Sequence, residues 1–346
     1  MTGSKAVNIG GRSVGPGHPA YVIAEIGANH DQDLQLALDM ISMAADAGAD
    51  AVKFQSLRFD RLYDPDGESA EFRDWFRQIE LDEVWYPQLN DRARSAGVDF
   101  LSSPTYVEAI DLLVACGVPA LKLASPQVQG NLPLVRRAAA TGLPLIMSMG
   151  YAEYGDIADA LAACRKAGNE QLILLHCIAK YPAAASEARL AFMRTLAAMT
   201  GCPTGYSDHT LGTHMAAAAV ALGACVIEKH VTLDRGRSGP DHHFALTFPE
   251  LRSMVEHVRE VEEALGDGTR MELLPEEWVL REKVRLKAIV RREIAQGDCI
   301  DGDQIIFLRS GKAGLSPAEL GELGRYRARH TLPAGTVLQW TDLQLL

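Results

Sequence analysis

The 346-residue chain has no stretch that is apolar for long enough to span a bilayer. Its longest nearly apolar run, Met215 to Ile227, is 13 residues, short of the roughly 20 that a spanning helix needs. Its six cysteines, at 116, 164, 177, 202, 225 and 299, include no C-x-x-C pair. Most sit in apolar surroundings such as LLHC and GACVIE, so they read as reduced core thiols. Basic residues are outnumbered, and the net charge of -11 argues against nonspecific nucleic-acid binding, which relies on a basic surface to displace counterions. The opening MTGSKAVNIGG lacks a continuous apolar segment, so no signal peptide is expected and a cytoplasmic location is. No G-x-G-x-x-G follows the first extended run, which disfavours a dinucleotide-binding open sheet.

What is present is a rhythm. With 47% hydrophobic and 23% charged residues the composition is that of a globular protein. The length suggests one large domain and one small one. From Tyr21 onward, eight short apolar runs (YVIAEIGA, DAVKFQ, VDFLSS, ALKLAS, LPLIMS, QLILLHC, TGYSD and CVIEKHV) alternate with helical patterns, several of which end in Ala-Gly, Cys-Gly or Thr-Gly. Eight such units predict an α/β fold, a closed (β/α)8 TIM barrel. Before them, VNIGGRSVG alternates around Gly10-Gly11 and predicts a hairpin. After the eighth helix the chain becomes turn-rich. REIAQGDCIDGDQI and RHTLPAGTVLQWTDL then share a spacing, which predicts a small β-rich domain with an internal near-repeat. The expected division is 1–270 for the barrel with its hairpin, 271–286 for a linker and 287–346 for the small domain. The basic run 281–292 is expected to be a solvated connector.

Barrel active sites lie at the carboxyl ends of the strands, and polar residues end these runs: Glu25, Asn29 and His30; Lys53 and Gln55; Ser102 and Ser103; Lys122 and Ser125; Ser148; His176 and Tyr181; Ser207, Asp208 and His209; Glu228, Lys229 and His230. Lysines on buried strands are costly unless they meet anions, so Lys53 and Lys122 favour a negatively charged ligand. Lys53 and Gln55, two apart, face the same way. His209 and His230 end strands on either side of one alanine-rich helix. If those strands are neighbours, the two imidazoles converge on a metal or a substrate, although each taken singly reads more readily as a structural, hydrogen-bonded histidine than as a ligand.

EIGANH, KFQ, LHC followed by YP, GYSDHT, IEKHVTLDR and GPDH, together with the C-terminal β domain, resemble the sialic acid synthase family over nearly the whole chain. These are phosphoenolpyruvate-dependent nonulosonic acid synthases with an antifreeze-like (SAF) C-terminal domain. The resemblance implies condensation of phosphoenolpyruvate with an open-chain N-acylated amino sugar, N-acetylmannosamine-like, releasing phosphate. It implies a divalent metal, Mn or Mg, on His209 and His230. Lys53, Ser103, Lys122, Ser125, Ser148 and Ser207 match the phosphoenolpyruvate cradle, and Glu25 is the acid/base or supporting carboxylate. Gln55, Tyr181 and Asp241 match acceptor or metal-shell residues. The family's homodimer, with the C-terminal domain over the partner's active site, implies that Arg309 serves the acceptor. Neither a nucleic acid nor a membrane is implied as a partner.

The departures lie on the acceptor side. Gln127 stands where the family has glutamate, and Thr105 where it has phenylalanine. IMSMGY carries Met149 within a usual Ser-Thr-Gly-Met, Ala179 replaces a small polar residue, and RSG follows the usual loop pattern less rigidly at Arg309. The alternatives are a synthase for an atypical aldose, or a catalytically degenerate barrel that binds carbohydrate.

Overall fold

The computed structural model describes residues 5–266, 268, 269 and 272–346. The expectations that fell on residues 1–4, 267, 270 and 271 lie outside the described residues. The chain divides into two compact units, Met1–Gly266 and Asp267–Leu346.

In the first unit a nine-stranded sheet has eight parallel strands round the barrel, β1 Tyr21–Gly27, β2 Ala51–Ser56, β3 Asp99–Pro104, β4 Leu121–Leu123, β5 Leu145–Ser148, β6 Leu172–Cys177, β7 Thr204–Asp208 and β8 Val226–Thr232, with the short Leu246–Thr247 paired to β8 off this path. They are hydrogen-bonded in the order β3, β2, β1, β8, β7, β6, β5, β4. The end strands β3 and β4 lie side by side, so the sheet curls round into a barrel as the eight units predicted. Successive strands are parallel because a helix returns the chain between them. Both faces of such a sheet are covered, which is why all seven residues of β1 are buried.

Strand alternation sorts the side chains into two cores. Val22, Ala24, Ile26, Val52 and Phe54 pack outward beneath the helices. Tyr21, Ile23, Ala51, Leu101, Ile146, Ile173 and Val226 pack inward. The hairpin Val7–Ile9 with Arg12–Val14 turns at Gly10-Gly11, and its Val7, Ile9 and Val14 join the inward core. Because Tyr21, Ala51 and Val226 open their strands, the hairpin plugs the amino-terminal end of the barrel. Asp50 ties this end together, accepting from Val22 N at 2.9 Å and pairing with Arg12 and Arg259.

In the second unit Leu286–Val290 pairs antiparallel with Ile305–Arg309, and Tyr326–Ala328 with Leu343–Leu345. Ile294 and Leu332, equivalent positions of the near-repeat, exchange backbone hydrogen bonds of 3.0 and 2.9 Å. The stretch expected as linker carries the helix Pro275–Val284, which has no buried residue. The basic run 281–292 is not a connector throughout. It enters the strand Leu286–Val290, where Ala288 and Val290 are core and Lys287 is buried 3.7 Å from Glu282. Alternation inside the run hid this, because its apolar positions are separated by cations.

His30, in the loop after β1, lies against Phe54 and Trp85 on the helix side. Burial pushes its pKa down to about 4 against a small opposing effect of Asp31. Between pH 6.5 and 4 the unfolded chain therefore binds a proton that the native imidazole refuses. Stability present above about pH 6.5 should fall with acidification through this window, by up to about 3 kcal/mol from His30 alone. His30→Gln should lessen the difference between unfolding free energies measured in urea at pH 7 and pH 5; an unchanged difference would contradict this assignment.

Candidate active site

The period of two along each strand places Glu25, Lys53, Gln55, Ser103, Lys122, Ser148, Ser207, Glu228 and His230 on the barrel interior, above the inward apolar core. Most of them line one narrow polar pocket of about 50 Å³, which Ser125, Cys177, Tyr181 and His209 complete from the loops and β6. Lys53 Nζ lies 2.8 Å from Glu25 and 3.8 Å from Glu228, and it donates to Ser103 Oγ at 3.1 Å. Lys122 Nζ is 3.4 Å from the same Glu228, which also accepts from Ser207 Oγ at 2.9 Å. Gln55 Nε2 donates to Glu25 at 2.7 Å. Ser148 Oγ is buried with no hydrogen-bond partner, and one oxygen of Glu228 is buried with only the 3.8 Å ion pair to Lys53.

Burial and charge compete at each group. Burial raises the pKa of Glu25 beyond what Lys53 recovers. At Glu228 the order reverses: burial acts upward, but Lys122 and Lys53 together hold the carboxyl below its usual range. Burial acts to lower Lys53, yet Glu228 and Glu25 outweigh it and raise it. Lys122, with one carboxylate close by and Lys53 as a neighbour, stays lowered by burial. Burial also lowers His209 and His230, so both imidazoles are neutral, the form that coordinates a metal.

The sequence grouped several polar residues that the strands separate. Ser102 faces Ser56 at 2.8 Å, His176 bonds Ala188 O at 2.7 Å, and Lys229 pairs with Asp208 at 2.7 Å. All lie on the opposite face from the pocket, buried in structural contacts. Asn29 likewise donates to Val231 O at 2.9 Å. Conversely, Glu228, which ends its run with the other polar residues but was singled out for no role, lies two residues from His230 and so shares its face.

The loops complete the rim. His209 Nδ1 donates to Ile178 O at 2.7 Å, which leaves its Nε2 free, and its ring stands 5.7 Å from that of His230. Tyr181 covers His209 at 4.2 Å. Asp241 approaches His230 Nδ1 at 3.5 Å, and burial raises its carboxyl to about 6. Asp241 is set there by a clamp: His242 bonds Thr232 Oγ1 at 2.7 Å through one nitrogen and Asp31 at 2.9 Å through the other. Two glycines make room. Gly27 takes a left-handed φ of +56° that a side chain would strain, and a Cβ there would crowd Asp241 at 3.3 Å, while one at Gly239 would meet the His242 ring at 2.7 Å. Gln127, buried, lines an adjoining wider cavity with Ser103 and Thr105. Arg309 closes the strand Ile305–Arg309 of the second unit and is exposed. Lys180, outside the pocket, pairs with Glu187 at 2.6 Å.

Among the described residues no group of three or more His, Cys, Asp or Glu gathers as a metal cage. Two neutral imidazoles, one oriented by a backbone carbonyl and the other with a buried nitrogen lacking a hydrogen-bond partner, still suit an ion whose other positions are filled by substrate and water. Also among the described residues, no helix is long and apolar enough to cross a membrane.

A (β/α)8 barrel with lysines, carboxylates and neutral imidazoles converging at its carboxyl mouth is an enzyme that handles an anionic substrate. The chain belongs to the NeuB family, which matches residues 40–270, and it carries a SAF domain at 288–344. It is 36% identical to the N,N'-diacetyllegionaminic acid synthase of Legionella pneumophila over 94% of each chain. It is 32% identical to the human N-acetylneuraminate-9-phosphate synthase over 90% of this chain and 89% of that one. The crystal structure of the N-acetylneuraminic acid synthetase of Leptospira borgpetersenii, in complex with citrate, superposes with a TM-score of 0.74 at 34% identity, covering 81% of this chain and 98% of that one.

Removing one member of a buried charge set strands the others, typically at about 3–5 kcal/mol. Glu228→Gln should therefore lower the thermal midpoint. Inorganic phosphate should raise it more in the variant than in the wild type, as measured by calorimetry. Equal midpoints without phosphate would show that Lys53 and Lys122 do not depend on this carboxylate.

Proposed function

We propose that the protein condenses phosphoenolpyruvate with an open-chain N-acylated amino sugar to give a nonulosonic acid and phosphate. The observation that carries this reading is the pair of buried lysines held by Glu228 beside two neutral imidazoles, in a barrel of the NeuB family. In this reaction C3 of phosphoenolpyruvate bonds to the aldehyde carbon and the aldehyde oxygen takes up a proton. Water adds at C2 and loses a proton. The C2–O bond then breaks, phosphate departs, and the remaining hydroxyl becomes the keto group.

Lys53 and Lys122 receive the carboxylate and phosphate through charge-assisted hydrogen bonds, with Ser103, Ser125, Ser148 and Ser207 supplying neutral donors. Ser148 Oγ, with no partner in the pocket, is free to serve. Glu25, between Lys53 and Gln55, is the carboxyl that moves a proton. Gln55, Tyr181, Asp241 and Gln127 face the acceptor. His209 and His230 would hold a divalent ion, Mn or Mg, which when bound polarises the aldehyde and orients water. We further propose a domain division of 1–270, 271–286 and 287–346, and a homodimer in which Arg309 of one subunit completes the acceptor end of the other's barrel. All six cysteines are free, which supports a reducing, cytoplasmic setting.

The test is phosphate release from phosphoenolpyruvate with Mn and a panel of aldoses. His209→Ala should lower turnover by at least about 100-fold, and undiminished activity after chelation would remove the metal from the reading. In a separate test of the dimer, mixing Arg309→Ala with Lys53→Ala subunits should restore activity by pairing intact halves; verified heterodimers without rescue would refute a shared site.

A further inference from the structure

Beside the polar pocket lies a cavity of about 720 Å³. The two share Gln55, Ala124, Pro126 and Tyr181 in their linings, so they form one continuous cleft. Its volume is that of a small-molecule site. Its floor is polar but neutral, with Ser103, Thr105 and Gln127. Its wall is aromatic, built from the segment after β2: Tyr63, Phe72, Trp75 and Phe76. These rings pack on one another, Tyr63 to Phe76 at 5.2 Å and Phe72 stacked on Trp75 at 5.7 Å. Phe76 is 4% exposed, whereas Trp75 is 44% exposed.

The lining contains no Lys, Arg, His, Asp or Glu. Cations of the neighbouring segments are turned to other partners: Arg58 to Asp60 and Glu80, Arg61 to Glu108, Arg73 to the Phe59 ring and Pro65 O, and Arg237, which lines a further cavity with Trp75, to Asp31. A phosphate placed against this wall would lose its water with no counter-charge from the lining to replace it, the Arg309 proposed to come from the partner subunit being the one cation offered from outside. A methyl or acyl group there would instead cover exposed aromatic surface.

Resting on the synthase reading, we infer that this aromatic wall is the specificity-determining face for the acceptor. It selects an uncharged aldose whose end remote from the aldehyde is deoxygenated or acylated, over one carrying a phosphate there.

The experiment compares N-acetylmannosamine, its 6-phosphate and a 6-deoxy diacetamido hexose as acceptors, following phosphate release from phosphoenolpyruvate. We expect kcat/KM at least tenfold higher for the uncharged acceptors, highest for the 6-deoxy sugar. Trp75→Ala should raise the acceptor KM about tenfold while leaving the phosphoenolpyruvate KM within twofold, and Trp75→Phe should restore it. Equal or better use of the phosphorylated sugar overturns the inference and leaves the synthase reading standing, as does an acceptor KM unmoved by Trp75→Ala. If no aldose drives phosphate release, the synthase reading fails. The wall is then judged by quenching of the fluorescence lost in Trp75→Phe: quenching by the uncharged sugars alone supports the selectivity, and equal or absent quenching overturns it.

Discussion

The site depends on one carboxylate shared by two lysines. Lys53 and Lys122 come from β2 and β4, the strands on either side of β3, and Glu228 pairs with both, sharing Lys53 with Glu25. The arrangement is costly to assemble, because three ions leave water, and it is retained because it aims positive charge at a fixed point before any ligand arrives. Glu228 is thus a resident counter-ion. Lys122, whose proton affinity burial lowers and which has a single carboxylate close by, marks the side on which an incoming anion gains most.

The barrel was legible because apolar runs and helical patterns alternate eight times, a period that survives local variation. The hairpin was legible from Gly10-Gly11. The site was legible more coarsely. Reading polar residues at the ends of runs placed Lys53, Gln55, Lys122, Ser148, Ser207 and His230 in one pocket, but it also gathered Ser102, His176, Asp208 and Lys229, whose side chains the pleat sends to the other face. Glu228, Lys229 and His230 show the difficulty in three consecutive letters. The outer two line the polar pocket while the middle one is fastened to Asp208 behind the sheet. Strand parity, counted from His230, separates them.

What no local pattern revealed is the geometry that loops impose. Asp241 reaches His230 because His242 is held from both sides by Thr232 and Asp31, residues far apart in the chain. The aromatic wall is equally non-local: its rings come from one segment, but they acquire a role only when Gln127 and Tyr181 arrive opposite them. Such features depend on tertiary contacts that spacing alone does not encode.

The hairpin at the foot of the barrel lines no part of the polar pocket, yet its Val7, Ile9 and Val14 close the amino-terminal end of the inward core. A barrel stoppered at its base exchanges its contents through the carboxyl mouth alone. The polar pocket therefore meets solvent on one front, and the apolar residues that impose this are remote from the chemistry.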